Sequence, residues 1–409
     1  VACGNGDDSA TPVPSLDAST THDGSAEGSA PGDGSSDGAK IGDGGATTSS
    51  LLKHIYVVMM ENHAYAQIIG DAGLAASAPN LNKFASTYGS ATNYYGVTHP
   101  SLPNYLAAIS GDFQGIFDDC NAGADVTCPP EEFVSNSGDG TMNQLMTASQ
   151  FANASMIPHW FSGQTIVDQL EDKGLTWAAY MGALISTGDV SPGAPIDTDV
   201  DAGDDAGPDY LNLYAQKHNP FEYFQNIRTN ANRMQKILPM TQLASDLAKS
   251  SAPNFVWISP DQCADMHGVH ADTAGFVDAG FCTGTTAGDD MSPEVVAYGD
   301  TFVGNLVTSI MGSPTWSQGS AIVIVFDEDD YVDTTGCCNS PTGVNGGTLG
   351  GAKVPAIVIS SLKTGATTSS APYNHYSLLG TIQSLWGLGC LANTCGMTGT
   401  QLMTTLFTP

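Results

Sequence analysis

Short apolar runs alternate with longer amphipathic ones along most of the chain. Ile55 to Met60, Ala91 to Val97, Leu175 to Met181, Asn254 to Ser259, Ala321 to Phe326 and Val354 to Ser360 are strand-like in length and rich in β-branched and aromatic residues. Between them lie helix candidates at Pro79 to Tyr88, Thr165 to Lys173, Thr241 to Lys249, Pro293 to Met311 and His375 to Trp386. Ser292-Pro293-Glu294 is a good helix start, with serine as cap and proline at the first helical position. Such alternation predicts an α/β fold with a mostly parallel central sheet flanked by helices. No run of eighteen apolar residues occurs that could cross a bilayer as a helix.

Polar residues follow directly after several of these runs. Met60 leads into Glu61-Asn62-His63, Ser259 into Asp261, Asp265 and His267, and Phe326 into Asp327-Glu328-Asp329-Asp330. In an open parallel sheet these positions share the carboxyl edge, where α/β proteins bind ligands. Glu61, Asp327 and Glu328 offer hard anionic oxygens and Asn62 an amide oxygen, a set suited to Ca²⁺, Mg²⁺ or Mn²⁺. Ser101 follows the second strand-like run in Thr98-His99-Pro100-Ser101-Leu102-Pro103-Asn104-Tyr105 and precedes an apolar segment ending at Ser110-Gly111. That places it at a helix N-terminus, where free N–H groups favour an anion, and Pro103 is compatible with the first turn. Alone, Ser101 reads as a helix cap and Asp327 to Asp330 as a solvated acidic turn. Gathered at one edge, they could bind a divalent ion that holds the Ser101 oxygen as an alkoxide, while His267 protonates a leaving oxygen or activates water.

Charge sharpens this picture. Forty-two acidic residues against 11 Lys and Arg give a net charge of -31 over 409 residues, which repels nucleic acid and anionic membranes. An anionic substrate therefore needs a local positive element, for which a metal ion is the obvious candidate. Residues 1–50 are Gly, Ser, Ala, Asp, Thr and Pro with almost no bulky apolar side chain, and read as a flexible acidic tether before a catalytic domain over 51–409. Val1-Ala2-Cys3-Gly4 resembles the tail of a bacterial lipoprotein signal, with Cys3 as the residue that is lipidated; the alternative is a plain disordered terminus with a stray cysteine. The lipoprotein reading predicts an exported protein, periplasmic, secreted or lipid-anchored, whose contact with a membrane is through that anchor. Setting Cys3 aside, the even number of remaining cysteines points to disulfides in an oxidising compartment. Cys120 with Cys128 and Cys390 with Cys395 are the natural close pairs, adjacent Cys337-Cys338 has no obvious assignment, and the irregular spacing disfavours a zinc site. An acidic insert over 186–209 contains Asp197-Thr198-Asp199-Val200-Asp201, which starts like a calcium loop. Ala202 replaces the required glycine and no glutamate closes it, so a solvated loop or lid is expected.

Six segments carry a resemblance to a known family: Glu61-Asn62-His63, His99 to Tyr105, Lys217-His218-Asn219-Pro220-Phe221, Ser259-Pro260-Asp261 with Asp265-Met266-His267, Phe326-Asp327-Glu328, and Tyr373-Asn374-His375-Tyr376-Ser377. From about Lys53 to Leu388 the chain resembles the bacterial phosphoesterase family of acid phosphatases and phospholipases C, in the alkaline phosphatase superfamily. The resemblance implies an alkaline phosphatase-like core and one divalent ion, Ca, Mg or Mn being favoured and zinc admitted. Its ligands would be Glu61, Asn62, Ser101, Asp327 and Glu328, with Ser101 the nucleophile that becomes phosphoserine. It also implies that His218 and His267 contact the phosphate or move protons. Thr98, Asn104 and His375 are candidate substrate contacts, although His375 could equally pack or cap its helix. His63, Asp261 and Asp265 are candidate supports of the ligands, and His99, His159 and His270 are assigned surface or structural roles. The activity so implied is hydrolysis of phosphate monoesters. A phospholipase C-type phosphodiesterase is the near alternative, and a catalytically silent cell-surface binding module the alternative of another class.

Overall fold

The computed structural model describes residues 52–130, 134–136, 142–190, 213–268, 292–330 and 333–409. The tether over 1–50, Cys3, most of the acidic insert with Asp197 to Asp201, and His270 lie outside the described residues.

His54–Met60 (β1) and Ser320–Phe326 (β6) are buried along their whole length, which is why their sequences are near-continuous apolar runs with no alternation. Apart from a small antiparallel pair, Val134–Asn136 with Met142–Gln144, the other strands are Gly89–Tyr95 (β2), Trp177–Met181 (β3), Ile237–Pro239 (β4), Phe255–Ser259 (β5), Lys353–Ser360 (β7), Thr367–Ser369 (β8) and Tyr373–Asn374 (β9). They form one sheet in the order β8-β2-β7-β6-β1-β5-β3-β4, with β9 pairing β2. Pairings from β4 through β6 are parallel, and β7 alone runs against its neighbours β6 and β2. The expected mostly parallel α/β sheet is the one observed.

Helices Pro79–Thr87 (α1), Ser101–Ser110 (α2), Ile166–Asp172 (α3), Leu243–Leu247 (α4), Pro293–Met311 (α5) and His375–Trp386 (α6) flank the sheet. Their ends follow local chemistry. Thr165 caps α3 by accepting the Val167 N–H, and Asn374 caps α6 by accepting those of Tyr376 and Ser377. Gly111 and Gly387 close α2 and α6 in the left-handed conformation. Among the described residues no helix is long and apolar enough to cross a membrane.

Two expectations shift. The second strand, Gly89–Tyr95, lies two residues earlier at each end than its apolar pattern suggests and carries a bulge between Ala91 and Tyr94. It stops before Gly96, where an added Cβ would lie 2.7 Å from the Asp327 carbonyl oxygen and 2.8 Å from that of Gly351, so only glycine permits the close approach. Strands β4, β8 and β9 were not anticipated, being too short to show a period. Cys120–Cys128 and Cys390–Cys395 are bonded as expected, and Cys337–Cys338 bond to each other.

Register places the chemistry. Met60 on β1 is opposite Phe326 on β6, and the Asp327 N–H continues the ladder to the Met60 carbonyl at 3.0 Å. Glu61 and Asp327 therefore leave the sheet side by side. On the other side β1 pairs β5 in parallel, and the Glu61 N–H reaches the Asp265 carbonyl at 2.9 Å.

Candidate active site

Ser101 is the first residue of α2, with Pro100 at the cap position, and its side chain makes no capping bond. Its Oγ instead donates toward Glu61 Oε2 at 3.0 Å and Glu328 Oε1 at 3.2 Å, which sets aside the simple cap reading. The loop entering the helix is fixed by Asn104. Its Oδ1 accepts the N–H groups of Val97 and Thr98, and its Nδ2 donates to the carbonyls of Thr98 and Pro100. Asn104, a candidate substrate contact in the sequence, has its amide engaged by the loop backbone. Thr98 is buried in the same loop, its hydroxyl directed to the His99 carbonyl at 3.4 Å.

Glu61, Asp265, Asp327 and Glu328 are all fully buried. Each oxygen of Glu61 has its own surroundings: Oε2 faces Ser101, while Oε1 accepts a short hydrogen bond from the Tyr105 hydroxyl and lies 3.3 Å from His218 Nε2. Asp327 Oδ1 accepts the Asn62 N–H at 3.2 Å. Burial first, and then the charges of Asp327 and Asp265, push the Glu61 carboxyl well above its usual range. Burial raises Asp327 to about 6 against hydrogen bonds from the Asn62 and Glu328 backbone and the Ser101 side chain. Asn62 itself sits at φ 50°, and its buried Oδ1 has no hydrogen-bond partner. Several buried carboxylates, a hydroxyl oxygen and an unpartnered amide oxygen in one place form a donor set that costs free energy when left alone and fits a hard divalent cation. Glu61, His218 and Asp265 bring ligand atoms within 4.8 Å of one another, and the other Glu61 oxygen faces Ser101.

The imidazoles stand on the β5 side. His218 has Nε2 3.3 Å from Glu61 and Nδ1 3.3 Å from Asp265 Oδ2, and its ring stacks on Tyr105 at 5.2 Å between centroids, 7° from parallel. Burial, followed by the nearby charges of Lys217 and His267, pushes its pKa well below the usual range. The His267 ring lies 6.2 Å from that of His218; the backbone N–H of His267 donates to Asp265 Oδ1 at 2.8 Å, and its ring Nδ1 faces the Gly268 carbonyl at 3.0 Å. Asp265 thus borders Glu61 and His218 directly, while Asp261 Oδ1 accepts the N–H groups of Cys263 and Ala264 and shapes the turn that carries them. His63 is buried edge-on to Phe326, and burial lowers its pKa to about 4.

Of the two roles open to His375, the bonds of its ring accord with packing. Its Nε2 reaches the Asp327 carbonyl just after β6 at 2.7 Å and its Nδ1 the Tyr94 hydroxyl of β2 at 3.0 Å, so both ring nitrogens are engaged within the protein. His99, expected in a surface or structural role, is buried beside the site, with Nδ1 on Glu328 and Nε2 on the Asp333 carbonyl. His159 is structural too, paired with buried Asp118 at 2.6 Å. The pattern of the sequence assigned no part to Tyr105 or to the Lys217–Asp119 pair. The signal available for Tyr105 was its spacing of four from Ser101, which puts both on one face of α2.

The site is thus that of an α/β protein with a serine nucleophile candidate at a helix N-terminus, among buried carboxylates and imidazoles at the carboxyl edge of a parallel sheet. The chain belongs to the phosphoesterase family, whose sequence profile matches residues 73–389. Ser101, His218, His267, Asp327 and Glu328 lie within the matched stretch, and Glu61 and Asn62 precede it. The chain is 24% identical to an acid phosphatase of Aspergillus fumigatus, over 79% of this chain and 54% of that protein. Identity to a phosphate-repressible acid phosphatase of Penicillium chrysogenum is 25%, over 79% and 58%, so the chain spans little more than half of these fungal relatives. A phosphatidylinositol-3-phosphatase of Mycobacterium tuberculosis is 23% identical over 82% of this chain and 77% of its own length. Among solved structures, a protein of the alkaline phosphatase superfamily from Vibrio parahaemolyticus aligns with a TM-score of 0.46 at 13% identity, covering 87% of this chain and 70% of that one.

Proposed function

We propose that the chain hydrolyses phosphate monoesters through a phosphoserine at Ser101. The observation that carries this reading is the Ser101 hydroxyl at the start of α2, donating toward two buried carboxylates instead of capping its helix. Glu61 and Glu328 draw on the Ser101 proton and orient Oγ outward from the helix start. The N-terminal dipole of α2 favours both the alkoxide and the phosphoryl oxygens that meet it. A divalent cation held by Glu61, Asn62, Ser101, Asp327 and Glu328 would lower the pKa of the serine hydroxyl and neutralise phosphate charge. His267 is placed to protonate the leaving oxygen in the first step and to take a proton from water in the second, and His218 to hold a phosphoryl oxygen or the water. Asp265, bonded to the His267 backbone and adjacent to His218, keeps the two rings together.

Monoesters are preferred over the diesters of a phospholipase C because the relatives compared are named for phosphatase activity. Disulfides at Cys120–Cys128, Cys337–Cys338 and Cys390–Cys395 support function in an exported setting, and lipidation at Cys3 would keep the protein at a cell surface.

The test is release of nitrophenol from mono- and bis(4-nitrophenyl) phosphate by the wild type and Ser101→Ala, before and after chelation with cation add-back. Monoester turnover that is lost in Ser101→Ala and returns to the chelated wild type only with a divalent ion is the expected result. A preference for the diester would move the function to phospholipase C-type chemistry. Failure to turn over either ester under every cation would leave a binding module.

A further inference from the structure

Lys217 precedes His218 in a conspicuous motif, and nothing above assigns it a task. Its side chain is 15% exposed, and its Nζ lies 2.7 Å from Asp119 Oδ2. The other oxygen of Asp119 accepts the N–H of Leu102 at 2.8 Å, in the first turn of α2. The ammonium is thereby tied to the start of the helix that carries Ser101. Burial opposes its charge, but Asp119 and then Glu61 outweigh burial and raise its pKa above the usual lysine range. Glu328 contributes in the same direction, so the two carboxylates that sense Lys217 are those bonded to Ser101 Oγ. Lys217 in turn is the cation that lowers the pKa values of Glu61 and Asp265.

The backbone under Lys217 is rigidly held. Glu222 accepts from Gln216 Nε2 at 2.5 Å and from Asn219 Nδ2 at 3.0 Å, and Ser259 Oγ donates to the His218 carbonyl at 2.7 Å. The ammonium is therefore preorganised beside the site, with little ordering left to occur when a substrate arrives.

Charge balance shows what such a group would do. Glu61, Asp265, Asp327 and Glu328 converge on the site, and a divalent cation offsets only part of their charge. A phosphate monoester enters as a dianion near neutral pH, whereas a diester carries a single negative charge. The added charge of the monoester is repelled by these carboxylates unless a fixed cation meets it. Building on the Ser101 hydrolase reading, we propose that Lys217 is a specificity-determining residue: it presents a permanent ammonium to the non-bridging phosphoryl oxygens and so favours dianionic monoesters over monoanionic diesters.

The experiment measures kcat/KM for mono- and bis(4-nitrophenyl) phosphate with the wild type, Lys217→Met, Lys217→Arg and the double variant Lys217→Met/Asp119→Asn. The double variant removes the carboxylate that the single change would leave unpaired. Loss of the ammonium is expected to lower monoester kcat/KM by about 10- to 100-fold, the worth of a charge-assisted hydrogen bond, and to lower the monoester-to-diester ratio by at least about tenfold. Lys217→Arg should restore most of the ratio. Equal losses on both esters in every variant that folds, with the ratio unchanged, would reduce Lys217 to a structural role and overturn the proposal. Absence of wild-type turnover would instead sink the hydrolase reading. Calorimetry with inorganic phosphate at pH 8 then tests the ammonium directly, since affinity unchanged in the double variant refutes a phosphate contact and a loss of about tenfold or more supports one.

Discussion

Asp327→Asn should make the cation-free protein more stable while removing most of its response to a divalent ion. Asp327 is fully buried, and its carboxyl is raised from 3.8 to about 6. An acid whose folded pKa lies above its unfolded value stabilises the fold below the unfolded pKa, and that contribution is lost as pH rises through the folded one. The shift of about 2 units, at about 1.4 kcal/mol each, means that ionised Asp327 costs the chelated protein about 3 kcal/mol at pH 7. Asparagine keeps the Oδ1 acceptor used by the Asn62 N–H and carries no charge. For a domain of this size 1 kcal/mol corresponds to roughly 1–2 °C, so chelated Asp327→Asn should melt about 3–6 °C above chelated wild type at pH 7. The gap should close as pH falls toward 4, where both forms are neutral at this position. Divalent ion at about 100 times its Kd should then raise wild-type stability by about 2.7 kcal/mol and the variant much less, narrowing or reversing the order. Differential scanning calorimetry across pH 4–8, with chelator and with Ca²⁺, Mg²⁺ or Mn²⁺, provides the assay. A variant less stable than wild type in chelator at pH 7, with equal gains from cation in both proteins, would refute the reasoning about repulsion and ligation together.

Tyr105→Phe keeps the stack on His218 but removes the hydroxyl that donates to Glu61 Oε1. The cation concentration for half-maximal thermal stabilisation should rise about 10-fold, as for loss of a partner that orients a ligand, and an unchanged titration would argue that Glu61 needs no such partner. His159→Ala strands Asp118 without its buried partner, at a cost of about 3–5 kcal/mol in denaturant unfolding, with kcat of the surviving folded fraction near that of the wild type. In the intact pair burial alone would lower the His159 pKa, but Asp118 outweighs it and leaves the value raised. The pair therefore adds stability at acid pH that fades as pH rises past that raised value, which a pH series of unfolding midpoints on wild type and His159→Ala would show.

The strands and helices were legible wherever an element was long enough to show a period or carried its own stop and start residues. β1 and β6 declared themselves as continuous apolar runs, and α5 by Ser292-Pro293. The acidic and amide residues after Met60 and Phe326 were readable as a site because a parallel sheet puts strand ends at one edge, and the register of β1 against β6 realises this. The three-residue strands and the bulge in β2 were not readable, since their pairing depends on neighbours distant in sequence.

Side-chain roles divided along the same line. Residue type and spacing along the chain determined which groups could act as nucleophile, as hard ligands or as proton carriers, because those capacities are properties of single side chains. Folding determined which of them meet. Asn104 is a candidate substrate contact in sequence and His375 either that or a packing residue, and in the fold the Asn104 amide meets loop backbone while the His375 nitrogens meet the Asp327 carbonyl and the Tyr94 hydroxyl. Tyr105 has no assigned part in the sequence and His99 reads as surface or structural, and burial brings them onto Glu61 and Glu328. Lys217 and Asp119, 98 positions apart, form an ion pair beside the helix of Ser101. Hydrogen bonding and burial act over a few ångströms in space, so no one-dimensional pattern carries them, whereas hydrophobic periodicity acts through neighbours in the chain and was visible from the start.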